Sequence, residues 1–105
     1  MKILISSYIK NFKGEDMLDE VTKKPVEARS IIATAMVAEN NENKLTPEKK
    51  NQAFQIGIKL YAHDEIDLTI EQMAFIKERV GIFYGALVYG RISELFDGKK
   101  VEEKK

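Results

Sequence analysis

A chain of 105 residues, 44% apolar and 32% charged, is long enough to bury one core and too apolar to stay disordered. It has no cysteine, which excludes a disulfide framework, a thiolate nucleophile and Cys-ligated zinc. Seventeen basic residues balance seventeen acidic ones; this weighs against nucleic-acid binding, which draws on a basic excess, and leaves little self-repulsion to oppose association.

In chain order, residues 2–21 predict a β-hairpin. "KILI" is rich in strand formers, and Gly14 sits between the apolar-containing runs "YIKNF" and "DMLDEV". The opening residues lack a long apolar region and a small-residue cleavage site, so no secretory leader is expected. Residues 25–39 predict a helix with Pro25 at its first position and Glu27 in its first turn. Ala28, Ile31, Ile32 and Ala35 then share one stripe.

A second helix is expected over 46–62, with Thr46 as N-cap and Pro47 following it. Phe54, Ile58 and Tyr61 line one face, and Ala53, Ile56 and Leu60 widen the apolar arc. An arc this wide calls for more than one neighbour. "TIEQ" has the spacing of a capping box and predicts a third helix over 70–80, with Met73, Ile76 and Val80 inward and Phe75 off the stripe. A fourth helix over 82–97 ends at Gly98, and 99–105 form a solvated tail.

The stretch "GIFYGALVYG" (81–90) is the most apolar part of the chain. It stops at Arg91, too short to span a bilayer, so no membrane segment is expected. On a continuous wheel, Gly81 and Gly85 share a face with Val88, Ile92, Leu95 and Phe96. The spacing of the two glycines suits close helix packing, and the same pair favours a break or kink between the third and fourth helices. Phe83 and Leu87 fall on the opposite face. With Tyr84, Tyr89 and Phe75 they form the candidate interaction surface, covered by the chain's own hairpin or by another subunit.

Chemistry is sparse. His63, Asp64, Glu65 and Asp67 match neither a calcium loop nor a zinc signature and are expected to be a polar connection. His63 is the only histidine, and no serine has a nucleophile context. Neither Glu15 and Asp16 nor Asp19 and Glu20 make a persuasive acid–base pair in so charged a segment. Lysine pairs at 23–24, 49–50 and 99–100 lack interleaved aromatics. No cofactor, metal site or catalytic residue is expected.

From Phe12 to Gly98 the layout resembles a group of small phage- and prophage-encoded proteins. "NFKGEDM", "ARSIIATAMVAE", "LTPEKKNQAFQIGIKLYAHDEIDLTIEQMAFIKERVG" and "YGALVYGRISELFDG" carry the resemblance, with Tyr84, Leu87 and Gly90 at matching places. The group's pattern has proline where this chain has Ala86, which weighs against an abrupt helix break there. The resemblance brings no catalytic motif. It implies a viral accessory protein in the cytoplasm of a bacterial host.

The expected fold is mostly α (α+β), an N-terminal β-hairpin packed on about four helices. The expected function is non-enzymatic: protein–protein interaction through an apolar helical surface, as a homo-oligomer or with a phage or host protein. Nucleic-acid association requires the lysine pairs to converge. Sequestration of a small ligand near the glycines is the other alternative.

Overall fold

Ile3 and Ile5 both point inward, and that alternation gives the chain a strand at its start. The computed structural model describes residues 1–97. Strand β1 (Lys2–Leu4) pairs antiparallel with β2 (Glu65–Asp67), Ile3 opposite Ile66, and both isoleucines are buried. Four helices complete the described fold: α1 (Ala28–Val37), α2 (Pro47–Ala62), α3 (Ile70–Phe83) and α4 (Ala86–Asp97). The molecule is thus mostly helical with a small antiparallel β component. Gly98 as a helix stop and the tail over 99–105 lie outside the described residues.

The hairpin around Gly14 is present and narrow. Lys10 bridges Asp16, and the Asn11 side-chain oxygen accepts from the N–H groups of Lys13 and Glu15. Gly14 has φ +85°, a conformation that glycine adopts without penalty. The sequence did not point to a second turn over Asp19–Lys24, closed by a Leu18–Pro25 bridge. The two turns meet in a closed ring: Ile9 N–H donates to Val26, Val26 N–H to Met17, and Met17 N–H to Ile9. Arg91 of α4 ties the first turn down, donating to the carbonyls of Lys10 and Asn11.

This arm corrects the start of α1. Pro25, Val26 and Glu27 are consumed by pairing with Leu18, Met17 and Tyr8, so the helix begins at Ala28 and not at Pro25. No side chain caps it. Its first free donors, on Ala28 and Arg29, go to the carbonyls of Ser7 and Ile5. Helix α1 then packs on both α2 and α3, while α4 packs on α3 and touches β1. Ile32, Met36, Ile56, Leu60, Ile76, Val80 and Ile92 are the fully buried centre of the core.

The local stop and start signals of α2 and α3 behave as expected. Thr46 accepts from the Lys49 N–H at 3.2 Å, and Pro47 follows it. Thr69 and Gln72 exchange hydrogen bonds at 3.0 and 2.9 Å, a complete capping box. Helix α3 continues through Gly81 to Phe83 rather than ending at residue 80. Tyr84 is extended and Gly85 links to α4, which starts at Ala86 and not at 82. The helix breaks there without a proline.

Candidate interaction surface

The break after Phe83 dissolves the continuous face expected over 81–96. Gly81 belongs to α3 and Gly85 to the link, so they do not form one close-packing stripe. A Cβ at Gly81 would stand 3.2 Å from Tyr89 Cε1, so Gly81 makes room for a tyrosine ring and not for a helix backbone. A Cβ at Gly85 would meet no described atom within 4 Å. Within α4 the stripe survives, with Ile92 and Phe96 buried and Val88 and Leu95 packed against the core.

The five aromatic and aliphatic residues expected at the surface separate. Phe75, only 7% exposed, is a core residue, because α3 is rotated to bury Phe75, Ile76 and Val80 while Met73 is half-buried. Tyr84 also packs against the core. Phe83 and Leu87 are half-buried, Phe83 beneath the Arg79 guanidinium at 5.1 Å from the ring centre. Tyr89 is partly exposed beside Gly81. Lys77, Glu78, Gly81, Tyr84, Gly85, Ala86 and Tyr89 line a shallow depression of about 400 Å³ at this elbow.

The open apolar face lies on α2. Ala53, Ile56 and Leu60 are buried, whereas Phe54, Ile58 and Tyr61 are 61%, 55% and 58% exposed. The spacing 54, 58, 61 sets these three on one stripe. The stripe begins two turns into α2, at Phe54, and finishes beside Ala62 at the helix end. Gly57 lies at its edge, where a Cβ would meet no described atom within 4 Å. Arg29 reaches the Tyr61 ring at 5.5 Å while donating to the Leu60 carbonyl and pairing with Asp64. Tyr61 is thereby held at the end of the stripe. The width of the apolar arc was the sequence signal for this surface. Periodicity could not say which half of the arc faces inward.

Opposite the stripe, α2 and α3 diverge around a half-open cleft of about 470 Å³. Ile56 and Phe75 form its floor, and Lys49, Gln52, Gln55 and Gln72 are among the polar groups at its wall. The Lys49 ammonium lies 4.9 Å from the centre of the Phe75 ring.

The acidic connection is engaged structurally. Asp64 pairs with Arg29 at 2.5 Å, and Asp67 accepts from the α-amino group of Met1 at 2.7 Å. That hydrogen bond, and the ammonium charge behind it, hold the Asp67 carboxyl below its usual range. Among the described residues no group of three or more His, Asp or Glu side chains is placed to hold a metal ion. Lys23 and Lys24 lie in the second turn of the arm and Lys49 over the α2–α3 cleft, while lysines 99 and 100 lie outside the described residues. Among the described residues no helix is long and apolar enough to cross a membrane.

Comparison with protein-family models, with curated proteins and with solved structures found no match.

Proposed function

We propose that this protein is a small non-enzymatic binding module that acts through the apolar face of α2. The observation that carries the reading is the exposure of Phe54, Ile58 and Tyr61 on one side of a helix whose other side is core. Single exposed apolar residues are ordinary on any protein. Three in register along one helix, two of them aromatic, have the composition of an interface centre. The face can take a second copy of the chain or a helix of a phage or host protein. The likeness to phage-encoded proteins supports an accessory role in a bacterial cytoplasm.

Site-specific photo-crosslinking in living bacteria tests this. A crosslinker replacing Ile58 should yield discrete adducts, and one replacing the exposed Val37 of α1 should yield few. Equal yields from the two positions would remove the reading.

A second reading, sequestration of a small polar ligand, rests on the α2–α3 cleft rather than on the glycines. The cleft combines an aromatic floor with several side-chain amides, the pattern of an orienting pocket. A ligand that raises the melting temperature of the protein but not of a Gln52→Ala/Gln55→Ala variant would establish it. A flat screen would count against it.

A further inference from the structure

Resting on that reading of the α2 face, we infer that its occupant is a second copy of this chain, packed antiparallel with the two-fold axis beside Gly57.

Three observations lead to this geometry. The first is Gly57 itself. A glycine inside a helix is less favourable than an alanine there. Within the chain nothing requires it, since its Cβ would have open space among the described residues. A missing side chain at the edge of an exposed apolar stripe lets an external backbone come close.

The second is the symmetry of the stripe. Phe54 lies three residues before Gly57 and Tyr61 four after it. An antiparallel partner with its axis at 57–58 sets Phe54 of each copy against Tyr61 of the other, with Ile58 near the axis. A two-fold interface demands this self-complementarity.

The third is charge. Lys50 is one turn before Phe54 on the same side of the helix, and the antiparallel arrangement carries it toward the partner's α2 C-terminus. A cation is favoured there by the helix dipole, and the carboxylates of Asp64 and Glu65 follow that end. Among the described residues Lys50 and Glu65 enter no ion pair within the chain. Zero net charge adds no repulsion between the copies.

The stripe also sets the strength. Aromatic side chains bury about 150–250 Å² when fully covered. Three side chains already partly covered therefore offer roughly 350 Å² per copy, or about 700 Å² for the pair. Stable interfaces bury about 1,200–2,000 Å². The dimer is accordingly weak and reversible rather than obligate.

Sedimentation equilibrium over a wide concentration range, combined with single-cysteine crosslinking, tests the inference. The natural chain has no cysteine, so each variant carries one thiol. Wild type should shift from monomer toward dimer with concentration. Phe54→Ser and Tyr61→Ser should each weaken the dimer roughly tenfold or more while leaving the melting temperature unchanged. Gly57→Leu should also abolish it, because the added side chain fits the monomer but blocks the approach. Mild oxidation should link Ile58→Cys, whose thiols face each other near the axis, into disulfide dimers and leave Ser30→Cys, on α1, unlinked.

Wild type that stays monomeric to millimolar concentration would overturn the second copy while leaving open a heterologous partner for α2. A dimer indifferent to Phe54→Ser, Tyr61→Ser and Gly57→Leu would overturn both the two-fold arrangement and the binding role of the face.

Discussion

The guanidinium of Arg79, 3% exposed, donates to the carbonyl of Ala38 at 2.5 Å, so a buried cation from α3 closes the end of α1. The same nitrogen reaches the Asn43 carbonyl at 3.3 Å, which anchors the loop that leads into α2. Carbonyls at a helix C-terminus are the negative end of its dipole, and here they replace the carboxylate that a buried arginine usually requires.

Arg79→Ala is therefore expected to destabilise the protein by about 2–4 kcal/mol, since it strips two partly buried carbonyls of their donor and uncovers Phe83. Arg79→Lys should recover only part of this, because one ammonium cannot both stack on the ring and span the two carbonyls. Urea midpoints at constant slope measure the loss. An Arg79→Ala midpoint equal to wild type would show that the contact does not clamp the helices.

The two halves of the α2 apolar arc should respond oppositely to truncation. Ile56→Ala and Leu60→Ala remove fully buried side chains and should cost about 2–5 kcal/mol each. Phe54→Ala, Ile58→Ala and Tyr61→Ala act on exposed positions, and at low protein concentration each should stay within about 0.5 kcal/mol of wild type. Thermal or urea unfolding of the five variants decides it. A large loss at Phe54 would place that side chain inward.

The glycines make a sharper comparison. Gly57→Ala should stabilise the monomer by about 0.5–1 kcal/mol, since the helix gains propensity and the new methyl meets nothing. Gly81→Ala receives the same propensity gain but pushes its methyl against Tyr89, 3.2 Å away, and should come out near neutral. Gly81→Leu should be clearly destabilising, because the ring must leave its place. Tyr89→Ala should relieve that penalty. A Gly81→Leu cost unchanged by Tyr89→Ala would show that the ring is not the obstacle.

Acid should weaken the fold through Asp67 and Asp19. Asp67 is held ionised by the Met1 ammonium, first through its hydrogen bond and then through its charge. Asp19 is held ionised by the backbone N–H groups of Thr22 and Val21. Both folded-state values lie below the ordinary 3.8, so the folded chain prefers the anion and protonation favours unfolding. The stabilisation is present above the ordinary value and disappears as pH falls through the depressed ones. Melting temperature should fall from about pH 5 to about pH 2. An Asp19→Asn/Asp67→Asn variant should show a shallower fall; a slope identical to wild type would contradict the assignment.

The parts of this fold that were legible in the sequence are those fixed within a few residues. Thr46 with Pro47 and Thr69 with Gln72 mark helix starts because a cap is satisfied inside one turn. Gly14 marks a turn for the same reason. Pro25 misled because its surroundings come from Leu18 across a second turn, so pairing in the arm overrode its helix-start signal. The partner of Lys2–Leu4 could not be read locally at all, since it lies beyond two helices. At the candidate surface, helical spacing identified both apolar halves of α2, and only the packing on α1 decided which half is buried. The misreading of Phe75 has a similar origin, because a modest rotation of α3 exchanges Met73 for Phe75 at the core.

The joining of Met1 to Asp67, 66 positions along the chain, has a consequence for the order of assembly. During synthesis the first strand leaves the ribosome early and must wait, with its backbone groups facing water, until α1 and α2 have been made. Local helices can form in microseconds, whereas a closure that spans most of the domain is slower. Ile3 and Ile5 remain uncovered during that wait. Nascent chains stalled before residue 65 should therefore be the most adhesive species that this protein ever passes through.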